Sequence, residues 1–165
     1  MKINSIKYIN HERNWNLEKT YFGKVTLLVG LSGVGKTQIL ESIFNLKDIV
    51  EGNTAGLSGV EWDLDFVVDN KSYRWYGEFE VLGNDDFVKA KYKNFEDEDN
   101  NKLPRILKEG LYLDGTLVFE RKSSDIAYEG QVLPKISPFK SGISIFTEEN
   151  KIEPIIKAFN KIYFI

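Results

Sequence analysis

The chain has 165 residues, a net charge of −3 at neutral pH, 42% hydrophobic residues and no cysteine. That length suits one domain with an ordinary core, and the lack of cysteine excludes disulfides and thiolate metal sites. A slightly acidic chain also lacks the basic footprint of a dedicated nucleic-acid-binding domain. Residues 1–10 lack the apolar core of a secretion signal, and no apolar run is long enough to span a bilayer. We therefore expect a cytoplasmic protein without a membrane partner.

Three strands and a helix are predicted in the first part of the chain. Residues 2–9 alternate between apolar and polar side chains, and residues 15–22 follow after a polar turn, so both predict strands. Residues 25–29 form a short, strongly apolar run that ends at Gly30, which is typical of a buried central strand. From Gly35 the spacing predicts a helix to about residue 47, with an apolar stripe of Ile39, Leu40, Ile43, Phe44 and Leu46.

The middle of the chain has the pattern of antiparallel strands. Residues 60–81 alternate between large apolar and polar side chains, with a break at residues 69–71 that is typical of a hairpin turn. The pair Asp114-Gly115 predicts a second hairpin turn. Residues 83–102 are polar and acidic, and they predict a loop or a weak edge strand.

The last part of the chain returns to helical spacing. Ser137 and Pro138 predict a helix start, with serine as the N-cap and proline at the first helical position. Thr147 predicts the cap of a second helix, and the apolar residues 162–165 predict a closing strand. We expect one domain over residues 1–165, made of a strand-loop-helix core at 1–50, an antiparallel region at 58–133 and a helical segment with the closing strand at 134–165.

A phosphate-binding loop is predicted between the third strand and the helix. Residues 30–37 match G-x-x-x-x-G-K-[ST] without a mismatch, which is typical of loops whose inward-facing N–H groups surround phosphates. The helix that follows points the positive end of its dipole at the anion. Lys36 is predicted to bridge the β- and γ-phosphates, and the Thr37 hydroxyl to bind Mg²⁺. The predicted nucleotide-binding residues are Gly30, Leu31, Ser32, Gly33, Val34, Gly35, Lys36, Thr37 and Gln38.

Hydrolysis in such proteins usually needs a second acidic site at the end of a buried strand. Asp69 and Asp114 each end an apolar run, but a turn and an alternating strand follow both, so hairpin turns are favoured. Residues 57–59, Leu-Ser-Gly, imitate part of an L-S-G-G signature, yet they precede a strand and are interpreted as a turn. His11, the single histidine, is interpreted as a solvated turn residue and Gln131 as a surface loop residue. No catalytic residue is assigned within the chain.

The order strand, turn, strand, phosphate loop, helix and antiparallel region resembles the N-terminal lobe of SMC-like ABC ATPases. This group of AAA-family ATP-binding proteins includes DNA-repair, OLD-type and phage-defence members; residues 1–10 are similar to their first strand and residues 30–37 to their Walker A. The resemblance implies an α/β P-loop NTPase fold: an ABC-type N-terminal half with a mixed sheet and an antiparallel β-subdomain. It also implies ATP and Mg²⁺ enclosed between two protomers. A homodimer or a partner ATPase half is thus the expected partner, with nucleic acid as a partner of the full-length protein.

The chain departs from that group in two respects. Residues 9–11, Ile-Asn-His, stand where these ATPases often have Phe-Arg-Ser, with Arg13 or His11 as the nearby replacement for the arginine. The signature helix, Walker B and switch histidine of the group are absent from the sequence. We therefore expect the chain to be the front half of a longer ATPase, a half that binds Mg-ATP and takes its catalytic residues from elsewhere.

Two other functions fit the same loop. A small P-loop kinase has a similar length, but the alternating βα units and the arginine-bearing lid of such a kinase are not predicted here. A regulatory nucleotide-binding module without turnover fits as well as the ATPase half. The lack of a guanine-reading N-K-x-D motif favours ATP over GTP in each case.

Overall fold

The computed structural model describes residues 1–31, 33, 35–83 and 103–163. Within them the chain forms eight strands and three helices. In chain order these are β1 (Lys2–Asn10), β2 (Trp15–Tyr21), α1 (Lys36–Glu51), β3 (Val60–Val68), β4 (Lys71–Phe79), β5 (Ile106–Leu113), β6 (Thr116–Lys122), β7 (Asp125–Tyr128), β8 (Gln131–Val132), α2 (Gly142–Ile145) and α3 (Glu153–Phe159). The loop predicted at 83–102 lies outside the described residues from residue 84 onward. No described helix combines the length and the apolarity that crossing a membrane requires.

The strands form one sheet in the order β2-β1-β3-β4-β5-β6-β7-β8, and each neighbouring pair is antiparallel. The expected α/β fold with a mixed sheet is therefore wrong. Among the described residues, four pairs of neighbouring strands are joined by two-residue turns, at 69–70, 114–115, 123–124 and 129–130. So short a connection permits only antiparallel pairing. The hairpin turns predicted at 69–71 and at Asp114-Gly115 are confirmed. Asp69, Asn70, Asp114 and Gly115 all have positive φ, as the tight turns of hairpins require.

The first two strands and the first helix are also confirmed. β1 extends to Asn10 and β2 to Tyr21, while α1 begins at Lys36 and continues to Glu51, past the predicted end near residue 47. β1 lies between β2 and β3 in the sheet. The helix therefore belongs to the connection that carries the chain from one neighbour of β1 to the other.

The prediction of a buried central strand at residues 25–29 is wrong. In the described part of the chain, residues 22–35 belong to no helix or strand. Four apolar residues at alternate positions are largely exposed: Val25 is 91%, Leu27 81%, Val29 76% and Leu31 83% exposed. An apolar run predicts that a segment favours burial, but the pattern does not reveal whether a neighbouring strand is available to bury it.

The core lies on one face of the sheet, beneath the helices. Strand register places one apolar residue from each of five strands in a row across that face: Ile6, Leu64, Trp75, Leu111 and Phe119. Buried residues of α1 (Leu46, Ile49 and Val50) and of α3 (Ile155 and Phe159) belong to the same core cluster. The opposite face carries paired charges, among them Arg74, which donates to both carboxylate oxygens of Asp63 at 2.9 and 2.8 Å. One packed face and one polar face are typical of an antiparallel sheet.

The two helix starts predicted in the last part of the chain are wrong. Ser137 caps no helix; Ser141 is the N-cap of α2, and its hydroxyl accepts a hydrogen bond from the Ile143 N–H at 3.1 Å. Thr147 lies in a turn, and α3 begins only at Glu153. Residues 162–163 are not in a strand, and 164–165 lie outside the described residues, so the closing strand is not observed. The division into segments remains a prediction.

A buried polar network fixes this last part of the chain to the sheet. The Glu109 carboxylate, fully buried on β5, accepts hydrogen bonds from Trp75 Nε1 at 2.9 Å, the Ser141 hydroxyl at 2.5 Å and the Gly142 N–H at 2.8 Å. Arg121 of β6 is 1% exposed and donates to the carbonyl oxygens of Lys140 and Ser137 at 2.5 and 2.8 Å. Burial raises the pKa of Glu109, although its hydrogen bonds and the Arg121 charge act in the opposite direction. Arg121 holds the Ser137 carbonyl where the sequence predicts a helix to begin.

Candidate functional site

The start of α1 is a helix terminus without a side-chain cap. Gly35 is the N-cap residue, with φ +92°, and having no side chain it makes no capping hydrogen bond. The first turn also contains no acidic residue. The first N–H groups of a helix have no partner inside the helix, and together with the dipole they favour an anion. This terminus therefore has the physical properties of an anion site.

Lys36 brings the loop back to the helix start. Its ammonium donates to the Gly30 carbonyl oxygen at 2.8 Å and to the Leu31 carbonyl oxygen at 2.6 Å. Residues separated by five and six positions are thus drawn together around one positive charge. An anion that reached the ammonium would replace carbonyl dipoles with a full negative charge, and hydrogen bonds between charged groups are the stronger ones.

Of the other predicted loop residues, some are described by the structure and two are not. Gly33 has φ +86°, which a residue with a side chain rarely adopts. Thr37 and Gln38 are exposed on the first turn of α1. Ser32 and Val34 lie outside the described residues. The structure therefore brings Gly30, Leu31 and Lys36 together by direct bonds and leaves the Thr37 hydroxyl at the surface beside them.

A metal ion at this loop would rely on few protein ligands. Among the described residues, no group of three or more histidine, cysteine, aspartate or glutamate side chains is arranged to hold a metal. Mg²⁺ commonly uses one or two protein oxygens and completes its coordination with waters and phosphate oxygens. The Thr37 hydroxyl fits that role, since it is exposed at the first turn of the helix.

Several side chains beside the helix start escaped the sequence reasoning. Trp15 Nε1 lies 3.6 Å from the position that a Cβ would occupy on Gly35. The ring centroids of Trp15 and Tyr8 are 5.8 Å apart, and Asn45 donates to the Tyr8 hydroxyl at 2.8 Å. Burial raises the pKa of Tyr8 to about 12, while the Asn45 hydrogen bond acts to lower it. An aromatic residue at a strand start is an ordinary sequence signal, so only the fold connects Trp15 with the loop.

Arg13 lies near the helix start and His11 has another partner. A guanidinium nitrogen of Arg13 is 3.6 Å from a carboxylate oxygen of Glu41 on α1, and both side chains are about half exposed or more. His11 Nε2 is 2.6 Å from Glu61 Oε1 on β3. Of the two replacements considered for the arginine of related loops, Arg13 is therefore the one placed beside α1.

The acidic residues that imitate a second catalytic site lie at the other end of the sheet. Trp15, next to the loop, is opposite Asn10, and Asn10 is opposite Val60 at the start of β3. Asp69 follows the end of β3, and the Asp114 carboxylate accepts from the Ser72 N–H at 2.9 Å beside it. Eight residues of strand separate the two ends, which corresponds to roughly 25 Å. The interpretation of both aspartates as hairpin-turn residues is confirmed.

The remaining motif candidates have structural explanations. Residues 57–59 form part of the turn before β3, and the buried Ser58 hydroxyl accepts from the Leu82 N–H at 2.8 Å. They open no helix, so the interpretation as a turn is confirmed. Gln131 is at the surface as predicted, but the prediction of a loop is wrong. It lies in β8, a strand of two residues at the sheet edge, and pairs with Tyr128 of β7.

One surface depression lies toward the hairpin-turn end of the sheet, away from the start of α1. It has a volume of about 480 Å³ and is lined by residues near the hairpin turns, including Ser72, Tyr112 and Gly115. Two of its charged side chains already have partners, since Asp65 accepts from Lys19 at 2.8 Å and Arg74 donates to Asp63. The depression therefore adds nothing to the site at the start of α1.

Comparison with known proteins gives a partial likeness. No family model matches the chain. Over 46 residues, 28% of the chain, it is 46% identical to the DNA replication and repair protein RecF of Clostridioides difficile (strain 630). The match spans only 12% of the length of that protein. The chain is therefore similar to one short part of a RecF protein.

Proposed function

We propose that the chain is a nucleotide-binding module that takes Mg-ATP at the loop of residues 30–38. The observation that carries the proposal is the Lys36 ammonium, held at 2.6 and 2.8 Å by the loop carbonyls beside an uncapped helix start. Backbone N–H groups and the helix dipole supply the anion site, and Lys36 neutralises phosphate charge. Thr37 holds Mg²⁺ together with phosphate oxygens.

The partial match to RecF supports nucleotide binding by an ATPase of the ABC type at the coarse level. The finer proposal is that the chain is a module of an SMC-like ABC ATPase, the group it resembles in the order of its first elements and in residues 30–37. ATP is the proposed nucleotide because the sequence has no N-K-x-D guanine reader. A phage-defence role belongs to the same resemblance and rests on nothing else.

Catalytic groups for hydrolysis are proposed to come from a partner ATPase half. Asp69 and Asp114 lie roughly 25 Å from the loop by strand register, so neither could activate water at the γ-phosphate. A non-catalytic regulatory module is the second candidate, and the same distance favours it. Steady-state phosphate release separates the two: addition of a competent partner half accelerates release in the first case and leaves it unchanged in the second.

The test of binding is an isothermal titration of the nucleotide-free chain with ATP, with and without Mg²⁺. We expect one ATP bound per chain, with affinity that increases when Mg²⁺ is present because the cation screens the phosphates and engages Thr37. AMP is the matched control, since it lacks the phosphates that Lys36 would bridge. Equal affinity for ATP and AMP, or no heat of binding with either, would falsify the proposed site.

The exposed apolar residues at 25–31 are proposed to pack against the partner. Contiguous exposed apolar surface commonly marks a protein–protein interface, and Val25, Leu27, Val29 and Leu31 are each more than three-quarters exposed. Because this segment overlaps the phosphate loop at Gly30 and Leu31, a partner seated on it would lie next to the bound nucleotide. A second copy of the chain, enclosing ATP between two loops, is the partner to measure first.

Replacing Leu27 with aspartate tests that interface. We expect wild-type chain to form a dimer in saturating Mg-ATP, and the L27D variant to stay monomeric because a charge would be buried between the copies. Sedimentation measures the mass of both, and titration verifies that L27D still binds ATP. Leu117→Asp on β6, where the side chain is 39% exposed, is the control that should dimerise normally. Dimers of L27D as stable as those of wild type would exclude this surface.

A further inference from the structure

Trp15 occupies a position between the sheet and the phosphate loop. It begins β2, is opposite Asn10 of β1, and is partly buried against the core. Its indole nitrogen is 3.6 Å from where a Cβ of Gly35 would lie. Gly35 is the residue at which the loop ends and α1 begins, so the indole lies beside the junction between them.

The indole packs against Tyr8, and Tyr8 is in turn hydrogen-bonded to Asn45. Tyr8 of β1, 1% exposed, packs against it with a centroid separation of 5.8 Å and an interplanar angle of 52°. The Tyr8 hydroxyl accepts from Asn45 on the third turn of α1 at 2.8 Å. The contacts therefore form a closed ring that runs from Gly35 to Trp15, to Tyr8, to Asn45 and back along α1 to Gly35.

Such a ring fixes the direction of the helix start relative to the sheet. An anion held by the first N–H groups of a helix depends on where those groups point, and small displacements of binding groups reduce affinity strongly. Gly35 has φ +92° and no side chain to restrain it, so its own conformation gives little rigidity. The Gly35 carbonyl oxygen accepts from the Ile39 N–H at 3.1 Å, and a neighbouring side chain can add restraint on the loop side of the junction.

We infer that Trp15 is a positioning residue of the nucleotide site: its indole, braced by Tyr8 and Asn45, holds the Gly35 junction in the orientation that binds phosphates. The inference rests on the proposed function and adds to it a residue outside the loop. If the inference holds, Trp15 fluorescence also reports nucleotide binding at the loop, because phosphates bound beside Gly35 change the surroundings of the indole.

The test compares three variants with wild type by ATP titration and by thermal unfolding. Trp15→Ala is expected to weaken Mg-ATP binding about tenfold or more. Trp15→Phe keeps an aromatic ring against Tyr8 and is expected to weaken binding by no more than about threefold. Leu17→Ala is the matched control, since Leu17 faces the same side of the same strand and packs against the core. We expect it to lower the unfolding temperature as Trp15→Ala does while leaving ATP affinity within about twofold of wild type.

Fluorescence supplies a readout that a purely structural role would not alter. We expect Mg-ATP to change the tryptophan emission of wild type, and the Trp15→Phe variant to bind ATP without that change, since Trp62 and Trp75 are buried in the core. If Trp15→Ala does not fold, Tyr8→Phe replaces it, with an expected loss of affinity of about threefold to fivefold from the missing Asn45 bond.

The outcomes separate the inference from the proposal beneath it. The positioning role is overturned if wild type binds ATP and Trp15→Ala binds it with equal affinity. It is also overturned if Leu17→Ala binds ATP as weakly as Trp15→Ala does. Either result leaves the nucleotide site in place. An emission change that persists in Trp15→Phe overturns the reporter role. Wild type that binds no ATP at all overturns the proposed function, and the inference falls with it.

Discussion

Lys36→Ala is expected to weaken Mg-ATP binding about 10- to 150-fold and to leave the fold as stable as wild type. Removing the ammonium takes away the cation that bonds to the Gly30 and Leu31 carbonyl oxygens. A hydrogen bond to a charged group contributes roughly 1.5–3 kcal/mol, and about 1.4 kcal/mol corresponds to a tenfold change in affinity. A lysine at a helix start is unfavourable to the dipole, and alanine is the better helix former. The variant should therefore unfold at the wild-type temperature or slightly above it.

Titration calorimetry and thermal unfolding measure the two expectations side by side. Lys47→Ala is the matched control, because Lys47 lies on the same helix about 16 Å from its start and bonds to the Ile162 carbonyl oxygen at 3.2 Å. It should retain ATP affinity. Loss of binding in both variants would assign the effect to the charge of the helix as a whole and contradict a specific role for Lys36.

Glu109→Ala is expected to lower the free energy of unfolding by about 3–5 kcal/mol, as removal of one member of a buried charged network does. Trp75 Nε1 and the Gly142 N–H would lose their acceptor, and Arg121, 1% exposed, would keep a buried charge without its carboxylate. For a chain of this size such a loss corresponds to a decrease of roughly 6–20 °C in unfolding temperature. The last part of the chain, which this network fastens to β5 and β6, should loosen first.

Denaturant titration followed by tryptophan emission measures the change. Glu120→Ala is the comparison on the neighbouring strand, since Glu120 is 43% exposed and only 3.8 Å from Lys122, and exposed pairs of this kind contribute about 0–1 kcal/mol. If the Glu109 variant were as stable as the Glu120 variant, the buried network would be incidental to the fold.

Local chemistry made part of this structure predictable. The hairpin turns at Asp69-Asn70 and Asp114-Gly115 follow from residues that tolerate positive φ, and the start of α1 follows from the glycine-rich loop before Lys36. Those signals act over a few residues. They are therefore visible in the sequence without knowledge of the fold.

The rest depended on pairings between distant residues. The apolar run at 25–29 has the composition of a buried strand. A buried strand needs a neighbouring strand to pair with, and the sequence pattern does not show whether one is available. Glu109 is a charged residue, which in a strand is usually exposed. Its burial depends on hydrogen bonds from Trp75 and Ser141, which lie 34 and 32 positions away in the sequence. The role of Trp15 also cannot be predicted from the sequence, because it depends on the fold placing Trp15 beside Gly35.

The order of the sheet has a consequence for how the protein reaches its folded state. From β3 to β8 each strand lies beside the next one in sequence, so those contacts can form by successive closures. The pairing of β1 with β3 joins residues about 50 or more positions apart, across the whole of α1, and closing so long a loop is entropically slower. The buried residues of α1 (Leu46, Ile49 and Val50) pack into the core that β3 helps to form. We therefore expect competence to bind a ligand at the start of α1 to appear late in refolding, once β3 has joined β1 and the hairpins have formed.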